Sequence, residues 1–395
     1  MSSAVESGST ESFRVDRTAA KASGAAAPVI AFAGGGSGGH ISPGLAIAER
    51  LRELLPDSRS IFLCSERAID ETMLRDAGAD HVALPALPFS LHPLRAARFI
   101  AAFRRARRDA EAILDRACVA QVVALGGFVA APVVAAAARR RIPVTLVNLD
   151  ARPGRANRWM ARRSDRVLSA VPTPEDPGFL RRISRSGGAI VGMPLRRLAV
   201  APGDPAECRA RLSLDPATPT LLVTGASQGS ASLNALMVEI ARRRPDLLSG
   251  WQVLHLAGSG EIEDLISSYR SASIGAVVLP FLHRMGLAWG AADLSISRAG
   301  ANSVAEAAAN AVPTIFLPYP HHRDQHQRLN AQPMVDRGGA VVETDRLDPA
   351  ANLAALQPVL ESLLRTSARR ERMREALAAQ PPSDAAAIIA RLLVA

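Results

Sequence analysis

Residues 31–51 read AFAGGGSGGHISPGLAIAERL, and this stretch decides the fold. A short apolar run ends in five glycines among residues 34–39, a histidine follows at 40, and a helical pattern runs from Pro43 to Leu55. Strand, glycine turn, helix is the opening of a parallel α/β unit, in which the helix N-terminus offers backbone N–H groups to phosphate. Gly34-x-Gly36-x-x-Gly39 also matches the dinucleotide fingerprint. That fingerprint wants an acid about 20 residues on, at the end of the second strand. The candidate, Glu66 in LCSER, falls 27 positions after Gly39, and His40 stands where a small or apolar residue is usual. The loop alone leaves open a redox cofactor, another phosphate-bearing molecule, or a bare βα turn.

The alternation continues outward. SIFLC, HVALP, VVAL (122–125), PVTLV (143–147) and RVLSA (166–170) read as strands, separated by helices near 69–76, over 94–116 and over 130–140. Glycine and proline in GMPLRRLAVAPGDPA (192–206) break the pattern and mark a linker. A second series follows: TLLVT (220–224), a helix from 230, WQVLHL (251–256), AVVLP (276–280), DLSIS (293–297), PTIFLP (313–318) and AVVE (340–343). The fold class is α/β, with two doubly wound Rossmann-like parallel sheets facing each other across a cleft. The expected division is a disordered tail over 1–27, a first domain over 28–195, a second over 196–378, and a helix over 379–395 with the first domain as its candidate packing partner.

The chain has 395 residues, 48% hydrophobic and 4% aromatic, with Ala, Val, Leu and Ile supplying most of the apolar mass, which suits buried parallel strands. Its 47 basic and 37 acidic residues give a net charge of +10, a modest pull toward anions. Cys64, Cys118 and Cys208 are too widely spaced for a metal pattern or a disulfide framework. No run of about 18 apolar residues spans a membrane, and residues 1–27 lack the apolar core of an export signal.

Three further clusters carry chemistry. VTGASQGSASLN (223–234) repeats the strand, glycine turn, helix grammar, with Ser227 and Gln228 beside the open amides. A phosphate loop in each half suits a sugar-nucleotide enzyme better than a dehydrogenase. SRAGANSVAE (297–306) ends a strand at Arg298 and Gly300 and starts a helix at Ala301, Asn302, Ser303, Val304 and Ala305. Arg298 can neutralise phosphate. Glu306 can accept ribose hydroxyls or serve as a first-turn dipole partner. In HHRDQHQRLNA (321–331), Gln327 and Asn330 share a helical face, and the histidines lack the spacing of a metal site.

Together these clusters resemble the MurG family of peptidoglycan N-acetylglucosaminyltransferases, two-domain enzymes of the GT-B fold, over residues 28–395. The family's GGTGGHxxP is similar to Gly35–Pro43, its GGY/FxxxP to Gly126–Pro132, its PGxxNR to Pro153–Arg158, its GGSQGAxxLN to Gly225–Asn234, its RSGAxTxxE to Arg298–Glu306, and its DxHQxxNA to Asp324–Ala331. The family's HEQN is Val147-Asn148-Leu149-Asp150 here, and its GNP is Gly192-Met193-Pro194.

The resemblance implies an inverting transfer of GlcNAc from UDP-GlcNAc to an undecaprenyl-pyrophosphate-linked muramoyl pentapeptide, lipid I to lipid II, at the cytoplasmic face of the cell membrane. By motif position, Ser227, Gln228, Arg196, Arg298 and the helix start over Ala301–Ala305 face the diphosphate. Glu306 meets the ribose, Leu282 the uracil and Gln327 the sugar hydroxyls. Ser37, Gly38 and Gly39 lie near the donor, their loop facing the acceptor pyrophosphate, and Asp150 stands where an Asn touches the sugar. His40 is the candidate base, since imidazole titrates near working pH, or else a phosphate or loop ligand, with Asp150 in reserve. Arg196 and helix N-termini would take the leaving-group charge, so no cofactor is required and Mg is not expected. Phe89, Leu91, Leu94, Arg95 and Arg98 are the candidate contacts to an anionic membrane surface, and nucleic acid has no part. The altered HEQN segment keeps two alternatives open, another lipid or small-molecule acceptor, or an inactive UDP-sugar-binding scaffold.

Overall fold

A computed structural model of the chain describes residues 27–36, 38–90, 92–226, 229–260, 262–321, 325–379 and 383–395, with Leu94 as backbone alone. Almost all of the expected N-terminal tail lies outside the described residues, as do Ser37, Leu91, Ser227, Gln228 and Asp324.

The first lobe runs β1 (Val29–Gly34), α1 (Ile41–Leu54), β2 (Arg59–Ser65), α2 (Ala68–Asp76), β3 (His81–Leu84), α3 (Pro93–Arg116), β4 (Val119–Gly126), α4 (Ala130–Arg140), β5 (Val144–Asn148), α5 (Arg155–Ala161), β6 (Arg166–Ser169) and α6 (Pro177–Arg185). The second runs α7 (Pro205–Arg211), β7 (Thr220–Thr224), α8 (Ala231–Arg243), β8 (Gln252–Leu256), α9 (Glu263–Ser271), β9 (Ala276–Leu279), α10 (Met285–Ala291), β10 (Leu294–Ser297), α11 (Ala301–Ala309), β11 (Thr314–Phe316), α12 (His326–Asp336), β12 (Ala340–Val342), α13 (Pro349–Arg365) and α14 (Ser367–Ala378). A last helix, α15 (Ala385–Val394), returns to the first lobe.

Both sheets are parallel and six-stranded, ordered β3-β2-β1-β4-β5-β6 and β12-β11-β10-β7-β8-β9. Read from the other edge, the second order is the first. Each sheet therefore reverses direction once, between β1 and β4 in one lobe and between β7 and β10 in the other. Ligands of such sheets bind outside the carboxyl ends of the strands at that reversal. The glycine loops after β1, β4, β7 and β10 occupy those four places.

Alternate residues of β1 feed opposite faces, as strand geometry requires. Ile30 and Phe32 join α1, α2 and α15, whereas Ala31 and Ala33 join α3, α4, α5 and α6. Phe32 stacks on Phe62 with ring centroids 5.0 Å apart. The far side of α1 is covered from beyond the second lobe: Ile389 and Ala390 of α15 are fully buried against it. Asp384 accepts from Arg50 Nε at 3.0 Å, and the Leu392 carbonyl accepts from Arg166 at 2.7 Å.

The linker read over 192–206 ends earlier than its proline content suggests. A 3-10 turn forms at Arg197–Ala199, and α7 starts at Pro205 under an Asp204 cap that accepts the Glu207 N–H at 2.9 Å. Short helices such as α5, α6, α7 and α10 have too few turns to stand out by periodicity alone.

Candidate active site in the interlobe cleft

The loop after β1 is organised by a side chain from the next helix. Asp70 of α2 is fully buried. Its Oδ2 accepts the Gly36 N–H at 2.6 Å, the Ser65 N–H at 3.3 Å and the Ser65 hydroxyl at 2.5 Å, and its Oδ1 accepts the Gly38 N–H at 3.4 Å. A Cβ on Gly35 would collide with that carboxylate. Arg67 donates to the Gly36 carbonyl and lies over the Phe128 ring, 5.4 Å from its centroid. The amides expected to meet a substrate pyrophosphate are thus partly occupied by an internal anion. Asp70 gives no local signal in sequence, because a carboxylate early in an amphipathic helix reads as an ordinary solvent-facing charge.

His40 follows at the N-cap of α1, without a side-chain bond to the helix. Its ring lies against Gly126 and Gly127, whose φ angles are +111° and +80°. A Cβ on Gly126 would sit 3.0 Å from His40 Nε2, so the glycine pair is what admits the ring. Burial pulls the imidazole below its ordinary pKa, and Asp150, the Gly35 carbonyl and Asp70 oppose that pull. His40 Nδ1 is buried without a hydrogen-bond partner. A ring held neutral at working pH has the protonation state that a general base needs.

Asp150 lies in the turn between β5 and α5. Asn148 holds this turn from below, donating to the Asp150 carbonyl at 2.7 Å and to Ser169 Oγ at 3.0 Å, and accepting from Asn157 at 3.0 Å. Asn148 is fully buried and braces the turn at the position where the family motif carries Glu. Across the cleft, Asn330 of α12 donates to Asp150 Oδ1 at 3.1 Å and accepts the Ala151 N–H at 2.9 Å. Asn302 of α11 donates to the Gly39 carbonyl at 3.1 Å. The structure therefore brings His40, Gly39 and Asp150 to the starts of α11 and α12.

On the second lobe, α11 starts after Gly300 with no side-chain cap, so its first-turn amides are the uncapped donors at the β7/β10 reversal. Ser303 and Val304 of this turn are buried, and Ala301 and Ala305 pack toward the first-lobe core. Glu306, on the next turn, accepts from Trp289 Nε1 at 2.9 Å, and burial pushes its carboxyl up to about 7. Gln327 Oε1 accepts the Tyr319 N–H at 2.8 Å. Leu282 packs half-buried beside α10.

Two arginines differ from expectation. Arg298 is buried, and its guanidinium binds Asp345 Oδ2 at 2.8 Å, Ser232 Oγ at 2.6 Å and the Leu317 carbonyl at 2.8 Å. Burial works against the charged Asp345, yet Ser232, Asn352, the Leu347 N–H and Arg298 hold its carboxyl below the ordinary range. Arg298 braces the start of α8 from within the lobe. Arg196 is paired with Glu49 of α1 at 2.8 Å, and Arg197 with Glu53 at 2.8 Å, so both tie the linker to the first lobe. A motif predicts that an arginine is present, but its partner depends on carboxylates far away in the chain.

The proposed membrane contacts lie on the first lobe. Phe89 is exposed, meets Phe99 edge-on at 5.4 Å, and carries Arg155 over its ring at 4.9 Å. Arg95, Arg98 and Ile100 are exposed on the first turns of α3, whereas Ala106 and Ala110 farther along are fully buried. The helix thus leaves the core toward its N-terminus.

Comparison with known proteins agrees with this architecture. Residues 30–169 match the glycosyltransferase family 28 N-terminal domain, and residues 220–388 match the glycosyltransferase family 28 C-terminal domain. A Nocardioides protein named UDP-N-acetylglucosamine–N-acetylmuramyl-(pentapeptide) pyrophosphoryl-undecaprenol N-acetylglucosamine transferase is 36% identical over 372 residues, covering 92% of this chain and 97% of the relative. The Acidothermus cellulolyticus protein of the same name is 37% identical over 328 residues, covering 80% and 84%. The crystal structure of Acinetobacter baumannii MurG superimposes with a TM-score of 0.65 at 24% identity, covering 93% and 99%. A Polygonum tinctorium UDP-glucosyltransferase that glucosylates indoxyl superimposes with 0.63 at 16% identity, covering 94% and 100%. These two structural likenesses establish the shared fold.

Replacing Asp70 with Ala strands several buried donors, each lost partner costing about 1–3 kcal/mol. Chemical denaturation of Asp70→Ala is expected to show a loss of at least that size, with proteolysis newly admitted within the loop after β1.

Proposed function

The chain belongs to glycosyltransferase family 28, and from that premise we propose that it transfers N-acetylglucosamine from UDP-GlcNAc to the muramoyl sugar of a pyrophosphoryl-undecaprenol-linked pentapeptide. The observation that carries this reading is identity of 36% along 97% of a relative named for that reaction. The mechanism we propose runs within the cleft. An acceptor hydroxyl oxygen attacks C1 of GlcNAc from the face opposite UDP. The bond from C1 to the phosphate oxygen breaks, its electron pair leaves with UDP, and the hydroxyl proton passes to His40. Asp150 is the reserve acceptor for that proton.

We assign the diphosphate to the open amides at the start of α11, Ala301, Asn302 and Ser303, and to the loop after β7 that carries Ser227 and Gln228. Gly38 and Gly39 face it from the other lobe. With Arg298 and Arg196 committed to Asp345 and Glu49, oriented amides take the leaving-group charge, a role preorganised donors perform well in a site closed to water. This scheme calls on no metal ion. Glu306, with one oxygen held by Trp289, receives the ribose hydroxyls. Gln327, its carbonyl held by Tyr319, turns its amide to the sugar, and the Leu282 backbone meets uracil.

No helix among the described residues is long and apolar enough to cross a membrane. We place the enzyme peripherally on the cytoplasmic leaflet, where Phe89 enters the interface and Arg95 and Arg98 meet anionic headgroups. The altered Val147–Asp150 segment favours a second reading, in which the donor is the same and the acceptor is another lipid or a small molecule.

Labelled GlcNAc should move from UDP-GlcNAc to a short-chain analogue of the lipid-linked muramoyl pentapeptide, in excess EDTA as well as without it. His40→Ala should lower kcat by about 100-fold or more. Unchanged turnover removes His40 as base, and transfer only to another acceptor selects the second reading. Donor affinity should depend on Glu306. Only the ionised carboxylate accepts both ribose hydroxyls, so with its pKa near 7 the donor Kd should fall by roughly 10-fold from pH 6 to pH 8. Calorimetry should find Glu306→Gln flat over that range. Sedimentation with anionic vesicles should lose about 10-fold in partitioning for Phe89→Ser/Arg95→Ser/Arg98→Ser, and equal partitioning of this variant would move the membrane contact elsewhere.

A further inference from the structure

We propose that Asn330 is the positioning residue that locks the two lobes in their transfer geometry, by holding the Asp150–Ala151 turn onto α12. The proposal rests on the transferase reading and deepens it. Asn330 is 2% exposed, and both ends of its amide are used across the cleft. The carbonyl accepts the Ala151 N–H at 2.9 Å, and the amide NH2 donates to Asp150 Oδ1 at 3.1 Å. A side chain that is acceptor and donor at once reads one turn in one orientation. Neither bond survives separation of the lobes.

The contact reaches the reacting centre from both directions. On the first lobe, the turn rests on Asn148, Asn148 on Asn157, and Asn157 on the Gly126 loop against which His40 packs. On the second lobe, Gln327 lies one helical turn before Asn330 and is fixed to Tyr319. The residue assigned to the donor sugar and the residue that holds the opposite lobe therefore share a helix face. A donor that orders the start of α12 also orders the clasp, so sugar binding and closure are coupled through one rigid element. Asn302, bonded to the Gly39 carbonyl beside His40, forms a second clasp from α11.

The charge pattern of the clasp supplies the test. Asn330→Asp keeps an acceptor for the Ala151 N–H but sets a carboxylate oxygen against Asp150. The double variant Asp150→Asn/Asn330→Asp keeps the bond from the Ala151 N–H and restores the one to residue 150 with donor and acceptor exchanged. Closure is read by energy transfer between a dye on Cys118, which is exposed while Cys64 and Cys208 are buried, and a dye on Ser249→Cys in the second lobe. With UDP-GlcNAc bound, Asn330→Asp should lower the closed-to-open ratio by about 30-fold, and the double variant should recover it to within about 3-fold. Asn330→Ala, which adds no charge, should fall between them.

Turnover gives an independent reading. Asn330→Asp should lower kcat about 30-fold when Asp150 is intact and less than about 3-fold when Asp150→Asn is already present. Equal effects of Asn330→Asp in both backgrounds, or an unchanged closed fraction, overturn the proposal. Energy transfer needs no reaction. Failure of the unmodified chain to transfer GlcNAc while the closure cycle still couples would therefore overturn the transferase reading alone.

Discussion

A diphosphate can be held by backbone amides only where those amides have no other acceptor, and the two lobes differ in this respect. In the first, Asp70 fills the bend of the glycine loop and takes the Gly36 and Gly38 amides for itself. In the second, α11 begins after a glycine with no side chain to cap it. The two sheets have one topology, and their reversal points face each other. What separates the two reversal points is therefore whether their amides are already satisfied. The inner carboxylate fixes the shape of its loop, and so the position of His40 just beyond it. The uncapped helix keeps its dipole and its donors for an arriving anion.

Much of this architecture is legible locally. The strand TLLVT stands at Thr220–Thr224, and the helix read over 130–140 stands at Ala130–Arg140. Buried apolar runs and glycine turns are short-range signals. The polar side chains that brace the site are not legible, because each pairs across a long stretch of chain. Asp70 reaches back 34 residues to Gly36, and Asn330 reaches 180 residues to Asp150. Arg298 reads as a phosphate ligand because an arginine beside a glycine loop can neutralise an anion, and Arg196 because of its position in the family motif. That reading cannot include Asp345 or Glu49, whose proximity is created by folding. The tail and the segment with Ser227 and Gln228 lie outside the described residues.

Among the described residues, the polar contacts across the cleft include the two bonds of Asn330 and the one of Asn302, each worth about 0.5–1.5 kcal/mol net of water. The exposed pair between His283 and Asp76, 3.6 Å apart, adds at most about 1 kcal/mol. Contacts of this size suit lobes that open and close about a shared cleft. The linker, by contrast, is anchored on both sides, by Arg196 and Arg197 to α1 and by Ala199 and Ala201 to Asn310 of the second lobe.

The return of α15 across the molecule has a consequence for synthesis. The first lobe leaves the ribosome before the second, yet one flank of its α1 is covered by Ile389 and Ala390, which are made after the whole second lobe. Domains ordinarily fold in the order in which they emerge. Here the earlier one keeps an oily flank bare throughout translation of the other, and only the late helix seals it. Vectorial folding thus ends where it began, and the first lobe, cut free of the late helix, is not a self-sufficient unit.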